Sequence, residues 1–168
     1  IDNLDWPDLP HALELFPTLT NLQQLTLNLR HSDDVSTFTS LHLPSLVVLE
    51  LIVLCECDMK LFIPFFARHS LTHLDLLWLA NGPHNTSEDL LGCLQHCSLL
   101  TRLFLVIDPI LVRTSLIDML PLSLTFLELG MTNLIPEEMI TFLSRNVQRN
   151  KTLVEWAVGK RSWISEEE

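Results

Sequence analysis

Histidines and cysteines are the side chains of this 168-residue chain best suited to metal ligation or acid–base work. His69 and His73 stand four apart, the spacing that puts two imidazoles on one helical face. The leucine pattern around them assigns His73 to a strand, which removes that geometry, so both are expected to be ordinary surface histidines. Cys55 and Cys57 form a C-x-C and Cys93 and Cys97 a C-x-x-x-C. Neither is the C-x-x-C knuckle of structural zinc sites, so no metal is expected and the thiols read as small buried side chains. Gly82, Gly92, Gly130 and Gly159 are the only glycines, which leaves no G-x-G-x-x-G and no P-loop. G-x-S-x-G and H-E-x-x-H are also missing. No cofactor and no enzymatic activity are expected. His73, Asp75 and Arg102 would support catalysis only if a closed pocket gathered them.

Composition narrows the partner class. The formal net charge of −11 argues against nucleic acid, whose phosphates need a basic footprint. Sparse cysteine without a dense even framework fits a reducing compartment, hence an intracellular location, cytoplasmic or nuclear. Glu50 and other polar residues divide every apolar run before the ~18 residues of a membrane span, so no membrane association is expected. Asn85-Thr86-Ser87 and Asn150-Lys151-Thr152 match the glycosylation sequon, but their places at helix ends favour capping and turn formation.

The elements that must position any site are legible in leucine spacing. L-x-x-L-x-L occurs at Leu22/Leu25/Leu27, Leu46/Leu49/Leu51, Leu71/Leu74/Leu76, Leu100/Leu103/Leu105 and Leu124/Leu127/Leu129. Looser copies stand at Ile1/Leu4/Trp6 and Leu153/Trp156/Val158. Successive copies start 21, 24, 25, 29, 24 and 29 residues apart, the range of stacked repeat units. Leucine abundance alone would produce the strict pattern about twice, and the out-of-phase Leu74/Leu77/Leu79 is such a chance copy. Five in-phase copies are not explained that way. Each copy predicts a strand with its leucines directed inward.

Between the strands, NTSEDLLGCLQHCSLL predicts a helix capped by Thr86 or Ser87. Glu88 and Asp89 sit in its first turn, and Leu90, Leu91, Leu94 and Cys97 form its buried stripe. IPEEMITFLSRNVQRN repeats this logic from Pro136. Pro64 should break any regular helix in DMKLFIPFFARHS, and SDDVSTFTSLHLPS is polar and β-branched enough to predict mostly loop.

These residues resemble a leucine-rich repeat protein over nearly the whole chain. Residues 90–105, LLGCLQHCSLLTRLFL, are similar to the cysteine-containing repeats that follow F-box motifs, with Cys97 at the family's cysteine position. LPSLVVLEL and LPLSLTFLELG look like divergent fungal F-box proteins. The resemblance implies an α/β leucine-rich repeat solenoid, with a curved parallel sheet on the concave side and helices and turns on the convex side. It departs from the family in one respect. Arg30, Leu54, Leu79, Asp108 and Thr132 stand where an asparagine ladder would follow the strands, so backbone groups there need other partners.

The expected organisation is a repeat domain over residues 1–159, about six or seven irregular copies truncated at the N-terminus, with a cap and acidic tail at 160–168. Alternation then sends Val48, Glu50 and Ile52, His73, Asp75 and Leu77, Arg102, Phe104 and Val106, and Phe126 and Glu128 to the concave face. Asp5, Glu50, Asp75 and Glu128 would share one acidic column. Val48, Ile52, Leu77, Phe104, Val106 and Phe126 would be exposed together beside it. Such a surface suits a protein partner with a basic or mixed apolar surface. The family implies a substrate receptor of a ubiquitin ligase, whose adaptor would be engaged by an F-box ahead of Ile1. The alternative is a scaffolding array with no ligase role.

Overall fold

Strict alternation of leucine with smaller or polar residues favours extended backbone, because successive side chains then go to opposite faces. The computed structural model describes residues 19–79, 86–107, 120–130, 144 and 155–158, and among these the chain is α/β with one parallel sheet. Its strands are β1 (Gln24–Leu29), β2 (Val48–Val53), β3 (His73–Trp78), β4 (Arg102–Val106), β5 (Phe126–Leu129) and β6 (Glu155–Val158), and they lie side by side in chain order.

The register aligns the leucine copies. Leu25, Leu49, Leu74, Leu103, Leu127 and Trp156 fall in one row, and Leu27, Leu51, Leu76, Leu105, Leu129 and Val158 in the row two residues on. No leucine of these rows is more than 7% exposed, and Leu46, Leu71, Leu100 and Leu124, the first leucines of their copies, are buried with them. The looser copy at Ile1/Leu4/Trp6 lies outside the described residues.

At the start of the strands, threonine and serine hydroxyls tie each leucine copy to the one before it. Thr72, Thr101 and Thr125 each follow the first leucine of a copy. The Thr72 hydroxyl donates to Val47 O (3.2 Å), that of Thr101 to Thr72 O (3.1 Å) and that of Thr125 to Thr101 O (3.0 Å). The same three carbonyls accept the amide N–H groups of these threonines. One residue before the first leucine, the Ser45 hydroxyl reaches Thr20 O and that of Ser123 reaches Ser98 O, again one copy back. In the asparagine slot itself, Leu54 N–H and Leu79 N–H donate to Leu29 O and Val53 O, which extends the sheet by one residue. Arg30 N–H donates to the Asp34 carboxylate, while Asp108 and Thr132 lie outside the described residues.

Helices cover one face. SDDVSTFTSLHLPS is not mostly loop: Ser32–Ser40 forms helix α1. Asp34 closes its first turn by accepting from His31 N–H (3.0 Å), and Val35 and Phe38, three apart, are both fully buried. The serine and threonine hydroxyls that lower helix propensity are absorbed by the helix itself, as Ser36 and Thr37 donate to Asp33 O and Ser40 to Thr37 O. At the far end the Arg68 guanidinium donates to Thr39 O and Leu41 O, supplying the cationic cap that α1 lacks in its own last turn.

Pro64, expected to break a regular helix, instead lies in the first turn of one. A 3-10 helix, Met59–Phe62, gives way to helix α2 (Ile63–Arg68), with the proline in the first turn where its missing N–H costs nothing. Helix α3 (Ser87–Gln95) is capped by Thr86, whose hydroxyl accepts from Asp89 N–H, while the Asp89 carboxylate accepts from Thr86 N–H (2.9 Å). Asp89 is 5% exposed and paired with Lys60 Nζ at 3.2 Å. Burial pushes its carboxyl up, but the Thr86 hydrogen bonds and the Lys60 ammonium outweigh that and hold it below the usual carboxylate range. Leu90, Leu94 and Cys97 of the expected stripe are buried. The helix expected from Pro136 lies outside the described residues apart from Ser144, which is helical.

Phe38, Phe62, Phe65 and Phe66 join the leucine rows in one core. Phe38 meets Phe65 at 4.2 Å between ring centroids, and Phe62 meets Trp78 edge-on at 5.2 Å. Among the described residues no helix is long and apolar enough to cross a membrane.

Candidate protein-interaction face

On the sheet face opposite the helices, the register builds three rows from the residues that alternate with the core leucines. The first is Gln24, Val48, His73, Arg102 and Phe126. The second is Thr26, Glu50, Asp75, Phe104 and Glu128, and the third is Asn28, Ile52, Leu77 and Val106. The expected face residues from Val48 to Glu128 are therefore brought onto one surface. Asp5 lies outside the described residues.

The apolar patch is shallower than its sequence suggests. Leu77 is 6% and Phe104 2% exposed, so these two are buried rather than presented, while Val48, Ile52, Val106 and Phe126 are half-buried. Alternation fixes the side of the sheet a residue faces but not its depth. A Cβ placed on Gly130 would lie only 2.7 Å from Val106 Cγ2, so the valine fills space that glycine leaves, while the edge of the Phe104 ring, 3.7 Å away, would be in ordinary contact. Gly130→Ala is expected to destabilise the fold by about 1–3 kcal/mol, because a stiff valine must give way in a packed layer. Urea unfolding would check this, and an unchanged midpoint would refute the packing assigned to Gly130.

The polar groups are arranged across strands. Glu50 accepts from the Thr26 hydroxyl at 3.0 Å and stands opposite Asp75, about 4.8 Å away in the strand-to-strand direction. Phe104 separates Asp75 from Glu128 in the same row. Arg102 is exposed, and its guanidinium lies 4.2 Å over the Phe126 ring, a cation–π contact that holds the charge at the surface. His73 shares a 2.9 Å hydrogen bond between Nδ1 and the Thr72 hydroxyl. The Asn28 Oδ1 atom is buried without a hydrogen-bond partner.

His69 and His73 are not brought together, and His69 is not a surface residue. It is 5% exposed on the core side, where Nδ1 meets Phe65 O at 2.7 Å and Nε2 accepts Leu43 N–H at 3.0 Å. Its clue in the sequence is Phe65, four residues earlier, whose ring stacks on it at 4.1 Å. None of the four cysteines is in a disulfide. Burial is the main cause that raises each of them, and Cys57, Cys93 and Cys97 are pushed up to about 12. The Cys93 thiol donates to Met59 O (3.3 Å) and that of Cys97 to Cys93 O (3.8 Å), roles suited to small packing residues.

An open cleft of about 150 Å³ lies between Ala67–Leu71 and His96–Leu99, away from His73, Asp75 and Arg102. Sites for small organic ligands usually occupy ~300–1,000 Å³, so the cleft is undersized for that use. Comparison with protein-family models, with curated proteins and with solved structures finds no match.

Proposed function

We propose that the chain is a leucine-rich repeat solenoid that recognises a protein partner through the face carrying Glu50, Asp75, Arg102, Phe126 and Glu128. The observation that carries the reading is the register: residues from five consecutive copies are displayed at regular strand spacing on the face opposite the described helices. All-parallel sheets are ordinarily covered on both faces, and helices account for one here. Half-buried Val48, Ile52, Val106 and Phe126 give the other face apolar contact area, and three carboxylates against one arginine favour a basic partner. Recognition of this kind includes no catalytic step.

The resemblance to repeats that follow F-box motifs extends the proposal to the substrate-receptor part of an intracellular ubiquitin ligase. Scaffolding is the second reading, favoured by the burial of Leu77 and Phe104, which reduces the apolar surface on offer. Affinity capture from native extract separates the two when Glu50→Lys with Asp75→Lys is compared with the unaltered chain. A recognition face loses its partner, whereas a scaffold that uses other surfaces keeps its associations.

A further inference from the structure

His69 joins two segments 26 residues apart in sequence. It closes helix α2, and its ring is the acceptor for Leu43 N–H in the connector between α1 and β2. Both ring nitrogens are committed. Since Nε2 accepts from an amide, Nδ1 carries the ring proton and donates to Phe65 O. A proton added at Nε2 would set N–H against N–H and leave the Leu43 amide without its acceptor.

We propose that His69 is a proton-operated latch, holding the α1–β2 connector against α2 while the ring is neutral and releasing it when Nε2 takes up a proton. The surroundings disfavour a charged ring. Burial is the largest cause, and Arg68 and His42 add like charge, outweighing the Phe65 carbonyl and holding the imidazole below its ordinary 6.5. From the connector, the His42 ring lies 6.2 Å away, and His96 and Cys97, beyond the end of α3, line the cleft beside His69. Arg68 is engaged by Thr39 O and Leu41 O. The unlatched state binds the proton more readily, so the connector's stability is complete above about 6.5 and is lost as pH falls below it. Release loosens Leu43, whose carbonyl accepts Leu46 N–H just ahead of β2. Mild acid therefore acts on the connector before it acts on the strands.

Amide exchange followed by NMR across pH tests the latch. Between about pH 7.5 and about pH 5.5, the protection factor of Leu43 should fall up to about ten-fold, the limit for one proton at a group of reference value near 6.5, while that of Leu76 in β3 holds. His69→Gln, which retains an acceptor but cannot titrate, should abolish the response at Leu43. If that variant does not fold, the His69 ring and the Leu43 amide of the unaltered chain decide the matter by titrating together. The proposal is overturned by a Leu43 amide that stays protected while the ring titrates, by equal loss at Leu43 and Leu76, or by an unchanged response in the glutamine variant.

Discussion

Phe65→Ala is expected to remove about 3–5 kcal/mol of stability, enough to threaten a domain whose total lies in the range of ~5–15 kcal/mol. Phe65 is fully buried, and its ring serves three neighbours, lying tilted against Phe38 at 4.2 Å, stacking on His69 at 4.1 Å and meeting Phe66 edge-on at 6.0 Å. Alanine leaves a cavity between α1 and α2, loses the aromatic pairs, and removes the ring stacked on His69. With a urea slope near ~2 kcal/mol/M, the midpoint should drop by about 2 M. Leu61→Ala is the contrast. At 50% exposure it should move the midpoint little, as surface substitutions stay within about 0.5 kcal/mol. Similar losses at Phe65 and Leu61 would contradict the assignment of the core.

The second large effect concerns the proposed face. Glu50→Lys with Asp75→Lys turns two adjacent carboxylates into ammonium groups on neighbouring strands. If a basic partner docks there, attraction becomes repulsion at two central positions, and affinity should fall by about 100-fold or more. The Thr26–Glu50 hydrogen bond is lost as well, at a cost of about 1 kcal/mol, so unfolding of the variant should be measured alongside binding. Glu56→Lys with Glu88→Lys makes the same change in net charge at exposed positions off the sheet and should leave affinity within a few-fold. An equal loss in both pairs would mean that net charge, and not this face, governs binding.

The leucine rows were legible because a strand's side-chain period is two and because five copies repeat one spacing. A slip of one residue would bring Thr26, Glu50 and Asp75 into the core. Helix α1 was not legible from propensity. Two buried anchors, Val35 and Phe38, and hydroxyls that bond back along the helix outweigh its polar, β-branched composition. The hydroxyl ladder stands in the sequence at a constant offset, Thr72, Thr101 and Thr125 each one residue after a first leucine, but residue type alone does not distinguish a bonded threonine from a solvated one.

The face was legible as a set of positions. Its relief was not, because depth depends on what packs beside each residue, as Val106 packs over Gly130. His69 shows the same limit. The sequence places a histidine near a strand, and only the fold shows that Leu43 N–H depends on it.

Site-specific photo-cross-linking in native extract tests the recognition proposal most directly. A photoreactive side chain at Phe126, half-buried on the sheet face, is compared with one at Leu61, exposed on the 3-10 helix. A discrete adduct from position 126, absent from position 61 and lost when Glu50 and Asp75 are reversed to lysine, is the expected result. Adducts from position 61 alone, or from position 126 regardless of those charges, would contradict it.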